Sequence, residues 1–319
     1  MRTRSDRLVA VATLGAFLVI AGVLGLVSLY LGAVTQAMSG VQRTSSLPDY
    51  DGRPTPQENQ GSRAMRYLVL VTDEHGGLAS AFVVQLTGAR DGMQLIGLPA
   101  NLLVADAKGR DTALATEFEH GVGSAVRAVE GLIGVRVDHM VQVRLQSFTR
   151  IIDVLGGVTV GNRTETAAEG WHFDAGELRL TGPEAEVYVT SPKYTMSKLE
   201  RTQAVFVEIV RGMASGDALT NPAKVEAIGD VLNAGVTVDA ALTAGEIRRM
   251  AIDMHLSPDL VTGTPLPLAG ISELHGSQVI VPDPDRVRLL ATAMQNDAVD
   301  AWAAAQTAPW QQLNDLPPR

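Results

Sequence analysis

The sequence contains no cysteine, and its few histidines lack the spacing typical of metal ligands. The absence of cysteine excludes both a disulfide framework and a thiolate metal site. Zinc-binding histidines usually occur in short, regular intervals, and no such interval is present. The six histidines are His75, His120, His139, His172, His255 and His275. The composition is compatible with a domain outside the cytoplasm that folds without disulfide bridges.

Charge is absent from the long apolar run Leu8–Val34. About 20 apolar residues span a bilayer, and this run is longer. The apolar part of a cleaved signal peptide has only roughly 7–15 residues. We therefore predict a retained transmembrane helix at residues 8–34. The arginines of residues 1–7 predict a cytoplasmic tip, with everything after the helix on the outer side of the cell membrane.

Positive charge is scarce beyond that tip. Residues 1–7 carry a net charge of +2, which leaves −11 for the rest of a chain whose total is −9. An acidic outer domain argues against nucleic acid as a partner, and against charge-driven docking on anionic lipid or polymer. The tip is also too short to hold a DNA-binding module.

The outer part of the chain divides by composition. Residues 35–65 are predicted to be an extracytoplasmic linker, flexible because it is rich in Ser, Gly, Pro, Gln and Asn. Residues 66–295 alternate strand-like and helical patterns, and one of the predicted short strands is Val187–Val189. Residues 296–319 are predicted to be a frayed C-terminal tail. This alternation predicts an α/β (α+β) domain with a central mixed β-sheet covered by helices and preceded by one transmembrane helix.

The most informative segment is Asp138–Val160. Apolar and polar residues alternate over Met140–Leu145, which predicts a strand with one buried face. Apolar residues then recur at helical spacing over 148–155, and Gly156-Gly157 ends that helix. A second strand is predicted from Val158.

This strand–helix–strand segment resembles the middle of the LytR–CpsA–Psr family, whose domain is also called the cell envelope-related transcriptional attenuator domain. Further segments that fit are Val137–His139, Asp153–Val158, Leu180–Ala185, Arg201 with Gln203, Val236–Asp239 and Val281–Asp283. The resemblance implies a phosphotransferase that attaches a glycopolymer, carried on polyprenyl pyrophosphate, to peptidoglycan. It implies an apolar tunnel for the lipid, and arginines with Mg²⁺ on the pyrophosphate, where they stabilise developing charge. Val141, Val143 and Leu145 are then either tunnel lining or ordinary core.

The resemblance also assigns the first motif positions. The family's first strand ends in Gly-x-Asp-x-Arg, so Asp73 matches a metal-binding aspartate and His75 stands where the family has arginine. The next motif, Arg-Ser-Asp-Thr, has Gly77 for its arginine and Ala79 for its second metal-binding aspartate. In the following Ser-x-Pro-Arg-Asp motif the proline is kept, but Ala100 replaces the arginine.

The later motifs follow the same trend. In Tyr-Val-Arg-Ser-Arg, Thr190 and Pro192 replace both arginines. In the last motif Lys198 stands for one arginine, Arg201 keeps the other, and Gln203 matches a glutamine. The candidates are therefore Arg201, Lys198 and His75 for catalysis, Arg201, Gln203 and Lys198 for substrate binding, and Asp73 for a metal.

Each candidate also has a structural interpretation. Asp73 either binds a metal or serves as a turn residue, since a divalent ion usually takes several oxygen ligands. Arg201 either grips a phosphate or forms an ion pair with Glu200 or a neighbour on the helix surface. Because losing one preorganised donor typically costs about 10²–10³ in rate, we expect phosphotransferase activity to be weak or absent.

Three functions follow from these interpretations. The first is a membrane-anchored protein of cell-wall glycopolymer assembly that binds a polyprenyl-phosphate-linked intermediate with degenerate catalytic motifs. The second is an active phosphotransferase that ligates an anionic glycopolymer to peptidoglycan. The third is a non-catalytic envelope interaction protein, whose partners are peptidoglycan or other envelope proteins at the cytoplasmic membrane.

Overall fold

The computed structural model of the chain describes residues 41–45, 47–56, 63–192, 195–214 and 221–305. Within them, a mixed sheet of seven strands carries helices on both faces, which confirms the predicted α/β architecture. No helix of the described part is both long and apolar enough to cross a membrane. The predicted transmembrane helix at residues 8–34 lies outside the described residues.

The bounds of the elements are as follows. The strands of the described part are β1 (Gln42–Arg43), β2 (Met65–Thr72), β3 (Leu78–Leu86), β4 (Met93–Pro99), β5 (Leu103–Ala105), β6 (Asp111–Ala113), β7 (His139–Arg144), β8 (Val158–Asn162), β9 (Thr166–Ala168), β10 (Trp171–Phe173), β11 (Gly176–Leu180), β12 (Val236–Val238), β13 (Val261–Pro265), β14 (Leu268–Leu274) and β15 (Ser277–Pro282). Its helices are α1 (Leu114–Glu119), α2 (Val122–Ile133), α3 (Leu145–Leu155), α4 (Gly182–Thr190), α5 (Thr195–Ala214), α6 (Pro222–Gly235), α7 (Ala244–Asp253), α8 (Pro284–Gln295) and α9 (Val299–Ala305).

Strand direction in the central sheet defines two edges. The strand order is β1-β12-β7-β2-β3-β4-β13. β7 runs parallel to β2, β3 runs antiparallel to both β2 and β4, and β13 runs parallel to β4. As a result β2, β4, β7 and β13 all end at one edge, here called the carboxyl edge, and begin at the opposite amino edge. β12 is antiparallel to β7, and β1 is parallel to β12, so these two run the other way.

Two apolar cores lie on opposite faces of this sheet, because side chains alternate along each strand. In β2, Val69 and Val71 face the first core, whereas Leu68 and Leu70 face the second. Helices α3, α4 and α5 cover the first core, and α1, α2 and α8 cover the second. The domain is thus a three-layer structure, in which both faces of the sheet are buried.

The segment Asp138–Val160 has the predicted structure. It forms β7, α3 and β8, and the helix ends at Gly156, whose φ of 85° is a left-handed conformation that glycine adopts without strain. The strand begins and ends one residue earlier than predicted, at His139 and Arg144, because Leu145 begins the helix. Val141, Val143 and Leu145 pack in or against the first core.

Part of the predicted flexible linker packs on the folded domain. Residues 41–45 and 47–56, here called the strap, pack on the domain: β1 pairs with β12, and Val41 is buried in the first core. The side chains of Tyr50 and Arg53 both reach Glu130 on α2. Composition predicted flexibility wrongly for these residues, because the contacts that hold them are made with residues far away in the sequence.

Two shorter elements also differ from the sequence interpretation. Val187–Val189, predicted as a strand, lies in α4, which begins with a capping box: Thr181 and Glu184 satisfy each other's main-chain groups. The predicted frayed tail is helical at its start, where α9 buries Val299 in the second core. The capping box stabilises the first element as a helix, and burial of Val299 fixes the start of the second.

Candidate functional site

The candidate residues fall into two groups at the carboxyl half of the fold. Asp73 and His75 lie in the turn that joins β2 to β3 at the carboxyl edge. Lys198, Arg201 and Gln203 lie in the first half of α5, which packs on β4 and β13. Among the described residues, no hydrogen bond or ion pair joins these two groups.

Asp73 organises its own turn. Its Oδ1 accepts main-chain hydrogen bonds from His75 and Gly77, both at 2.9 Å. A Cβ atom at Gly77 would lie 3.0 Å from Asp73 Oδ2, so the second carboxylate oxygen fills the space beside that glycine. Asp73 therefore has the contacts of a strand-end turn residue.

These surroundings do not fit a divalent cation. A magnesium ion needs near-octahedral oxygen ligands, often from more than one carboxylate. Across the described part of the chain, no group of three or more histidine or acidic side chains is placed to hold a metal ion. No step of the function is therefore assigned to Mg²⁺.

His75 and Lys198 are both on the surface. The His75 side chain is 83% exposed, and its Nδ1 lies 3.8 Å from a carboxylate oxygen of Glu74, itself exposed. Lys198 is exposed on α5. Neither side chain is desolvated, so neither has the enclosed surroundings that are typical of a catalytic group.

Arg201 is half-buried and is held by contacts with other parts of the protein. Its guanidinium donates to the main-chain oxygen of Tyr188 at 3.0 Å and to Thr166 Oγ1 at 2.9 Å. The same group lies over the Tyr188 ring, with Cζ 4.3 Å from the ring centroid. Arg201 thus ties α5 to α4 and to the β9–β10 hairpin, and both of its terminal nitrogens donate to the protein.

Gln203 lies flat on the sheet. Its Nε2 donates to the main-chain oxygens of Leu95 at 2.9 Å and Thr264 at 3.0 Å, so it bridges β4 and β13. Cβ atoms at Gly97 and Gly263 would come within 3.0 and 2.9 Å of its amide, so both strands need glycine beneath it. The amide also forms part of a cleft that opens beside α5.

That cleft, of about 320 Å³, lies between α5, β8 and β13 and is here called the apolar cleft. Its apolar wall consists of Val160, Met196, Leu199, Ala204, Val207, Pro265, Leu266 and Leu268. Its polar groups are Arg163, Glu200, Gln203 and Glu208. A volume near 300 Å³ with a mainly apolar wall and few polar groups suits a small apolar ligand or a segment of a longer one.

A stack of three phenylalanines closes the first core beside the cleft. Phe206 of α5 stacks on Phe82 and Phe148, with centroid distances of 5.3 and 5.5 Å. Phe82 belongs to β3 and Phe148 to α3, so the stack joins sheet and helices. The space between them is occupied by aromatic rings at this level, and the apolar cleft lies to the side of the stack.

His139 and Asp138 lie at the amino edge and make separate contacts. Asp138 Oδ2 accepts the main-chain N–H of Arg66 at 2.8 Å, whereas His139 Nδ1 lies 3.2 Å from Asp239 Oδ2. Burial acts to raise the pKa of Asp239, but hydrogen bonds from His139 and from the Met140 main chain outweigh it and hold that pKa below its usual value. For Asp138, burial raises the pKa.

These opposite shifts predict opposite effects of pH on stability. A carboxyl with a depressed folded-state pKa adds stability above its unfolded pKa, about 4, and loses it as the pH falls through the folded value. We expect Asp239→Asn to lower the free energy of unfolding at pH 7 and to flatten its fall between pH 5 and 3. Asp138→Asn, which keeps an acceptor for Arg66, should steepen that fall. Urea unfolding of the full chain across this pH range measures both slopes, and equal slopes in both variants would contradict the assignment.

The sequence and the fold of this chain both match known proteins. The sequence model of the LytR_cpsA_psr family matches residues 68–295. The chain belongs to this family. A solved LytR-Csp2A-Psr enzyme from Actinomyces oris shares its fold, with a TM-score of 0.63, 19% identity, and coverage of 80% of this chain and 96% of that one.

Two curated relatives match part of this LytR–CpsA–Psr chain. The cell wall biosynthesis protein LcpA of Corynebacterium glutamicum is 30% identical over 171 residues, which are 51% of this chain and 32% of LcpA. The polyisoprenyl-teichoic acid–peptidoglycan teichoic acid transferase TagU of Bacillus anthracis is 27% identical over 183 residues, 54% of this chain and 58% of TagU. The match thus spans less than two thirds of either relative.

Sequence reasoning missed one charged group at the cleft of this LytR–CpsA–Psr protein. Arg163, which follows β8, pairs with Glu200 of α5 at 3.2 Å across the cleft wall. Glu208, also in the wall, pairs with Arg211 at 2.6 Å. No spacing along the chain links Arg163 to Glu200, so only the packing of β8 against α5 reveals the pair.

Proposed function

We propose that this chain is a membrane-anchored LytR–CpsA–Psr protein of cell-wall glycopolymer assembly that binds a polyprenyl-phosphate-linked intermediate through an apolar segment of the lipid. The observation that carries the proposal is the apolar cleft along α5, in a chain of this family. Leu199 and Val207 supply apolar surface one and three turns along the helix, where an extended hydrocarbon chain gains most from burial. TagU is named for a polyisoprenyl-linked substrate, which supports the same class of ligand here.

We further propose that transfer chemistry is weak or absent. Phosphoryl transfer depends on preorganised cations around the transferring oxygens. Arg201 is committed to Tyr188 and Thr166, and Thr190 donates its hydroxyl to the Glu186 main chain at the end of α4. Two further arginines are also engaged with the protein. Arg163 pairs with Glu200, and Arg211 pairs with Glu208.

Localisation and partners belong to the same proposal. The uncharged run Leu8–Val34 supports a single-pass anchor, with the N-terminus in the cytoplasm and the domain outside. The partners are then the lipid-linked intermediate in the cytoplasmic membrane and peptidoglycan or another envelope protein. The acidic outer domain disfavours nucleic acid.

Binding of a polyprenyl phosphate to the full chain in detergent tests the proposal. We expect saturable binding that Ala204→Leu weakens roughly tenfold, about 1.4 kcal/mol, because leucine at this position fills the cleft. Ala214→Leu, the same change at the end of α5 away from the cleft wall, is the matched control. Equal affinity in both variants would place the ligand elsewhere, and no binding at all would favour an envelope interaction protein.

Turnover distinguishes the phosphotransferase alternative. The full chain is incubated with polyprenyl pyrophosphate and Mg²⁺, and phosphate release is followed. We expect release no faster than in buffer, since the Arg201 guanidinium is engaged within the protein. Release by the wild type that disappears in a folded Arg201→Ala variant would establish an active enzyme and overturn the proposed loss of chemistry.

A further inference from the structure

The strap determines where the chain enters the folded domain. β1 is parallel to β12, which runs antiparallel to β7, so β1 begins at the carboxyl edge and runs toward the amino edge. Val41, directly before β1, is buried in the first core, and Thr44 N–H donates to the Val238 oxygen at 2.9 Å. The chain therefore joins the fold at the edge that also carries Asp73.

The second half of the strap is fastened on the other face of the sheet. Glu130 is fully buried and accepts both Arg53 Nε at 3.0 Å and Arg53 Nη2 at 2.9 Å. Tyr50 donates its hydroxyl to Glu130 at 2.7 Å, and Val137 donates its main-chain N–H at 2.9 Å. Pro48 lies 3.7 Å from the Cβ position of Gly123, so α2 accommodates the strap closely.

Without this fastening, the attachment point would move across the domain. The strap ends before Ala64, which is buried directly ahead of β2 at the amino edge. β2 has eight residues, so the two edges are about 26 Å apart at ~3.3 Å per residue. A docked strap attaches the tether at the carboxyl edge, whereas a released strap would attach it at the amino edge.

We propose that the strap holds the carboxyl edge of the sheet toward the membrane; this rests on the membrane anchor of the proposed function. The seven chain steps from residue 34 to residue 41 reach at most about 25 Å. The carboxyl edge therefore lies within about 25 Å of the bilayer, whereas the amino edge, about 26 Å from the carboxyl edge, can lie farther away. The Asp73 turn and the first turn of α5 are then the parts of the domain that meet lipid head groups.

Energy transfer to a lipid-borne acceptor tests this orientation. The chain has no cysteine, so Glu74→Cys at the carboxyl edge and Asp259→Cys at the amino edge each give one labelling site, and both residues are exposed. The full chain is reconstituted into vesicles that carry an acceptor-labelled lipid. We expect several-fold higher transfer from position 74 than from position 259.

Two further variants test the role of the strap itself. Arg53→Ala should reduce the difference between the two positions, and Arg288→Ala, in an exposed pair with Asp285, should leave it unchanged. Arg53→Ala is also destabilising, so a second variant tests the tether alone. A twelve-residue Gly/Ser insertion after residue 37 lengthens the tether and leaves every described residue unchanged. It should also reduce the difference in energy transfer between the two positions.

Flotation separates the two possible failures. Chain that floats with the vesicles but shows equal transfer from positions 74 and 259 overturns the orientation and leaves the anchor intact. Chain that does not float overturns the anchor and the orientation together. A difference that survives both Arg53→Ala and the insertion would mean that lipid contacts, rather than the strap, orient the domain.

Discussion

Arg53→Ala is expected to lower the free energy of unfolding by roughly 3–5 kcal/mol, the usual cost of breaking a buried ion pair by removing one partner. The Glu130 carboxylate is fully buried, and the Arg53 side chain is only 7% exposed. After the change Glu130 keeps the Tyr50 hydroxyl and the Val137 N–H but loses its cationic partner in the described part of the chain. An uncompensated charge remains inside the protein.

Chemical denaturation of the full chain in detergent measures this loss. The matched control is Arg288→Ala, which removes the same side chain from a pair with Asp285 in which both members are about four-fifths exposed. Exposed pairs contribute about 0–1 kcal/mol, so the control should change little. Equal losses in the two variants would show that the strap is not held by the buried pair.

The sequence predicted the parts of the fold whose signals are local. Alternation over Met140–Leu145 predicted a strand, and Gly156 ends the following helix in a left-handed conformation. The prediction of a single buried face was wrong, because Met140 on the opposite face is fully buried in the second core. Val187–Val189 was wrongly predicted as a strand, because a short apolar run fits a buried helix equally well. The capping box at Thr181 and Glu184 decides for the helix.

The strap and the candidate site depended on contacts that spacing does not encode. Arg53 and Glu130 are separated by 77 positions, and nothing near Arg53 in the sequence signals a buried partner. The motif identified Arg201, but the groups that bind it, Thr166 and Tyr188, lie on other elements. Family resemblance therefore assigned motif positions along the chain, but the contacts of their side chains follow only from the fold.

Phe206→Ala is expected to cost about 3 kcal/mol of stability, the low end of the range for a phenylalanine, because the ring is half-buried. The ring is the middle member of the stack with Phe82 and Phe148, both almost fully buried. Its removal deletes two aromatic contacts and leaves space between the sheet and α3. Phe206→Leu, which keeps part of the apolar volume, should cost less.

A second consequence follows from the chemistry of that space. The space left by the Phe206 ring lies against the apolar rings of Phe82 and Phe148, so it should accept a small apolar molecule. Calorimetry with benzene should therefore detect saturable binding to Phe206→Ala and not to Phe118→Ala, a half-buried phenylalanine packed against the second core. Binding of benzene by both variants, or by neither, would contradict this prediction. It would mean that the Phe206 ring does not fill the space between the sheet and the helices, and that the first core either collapses around position 206 or extends beyond it.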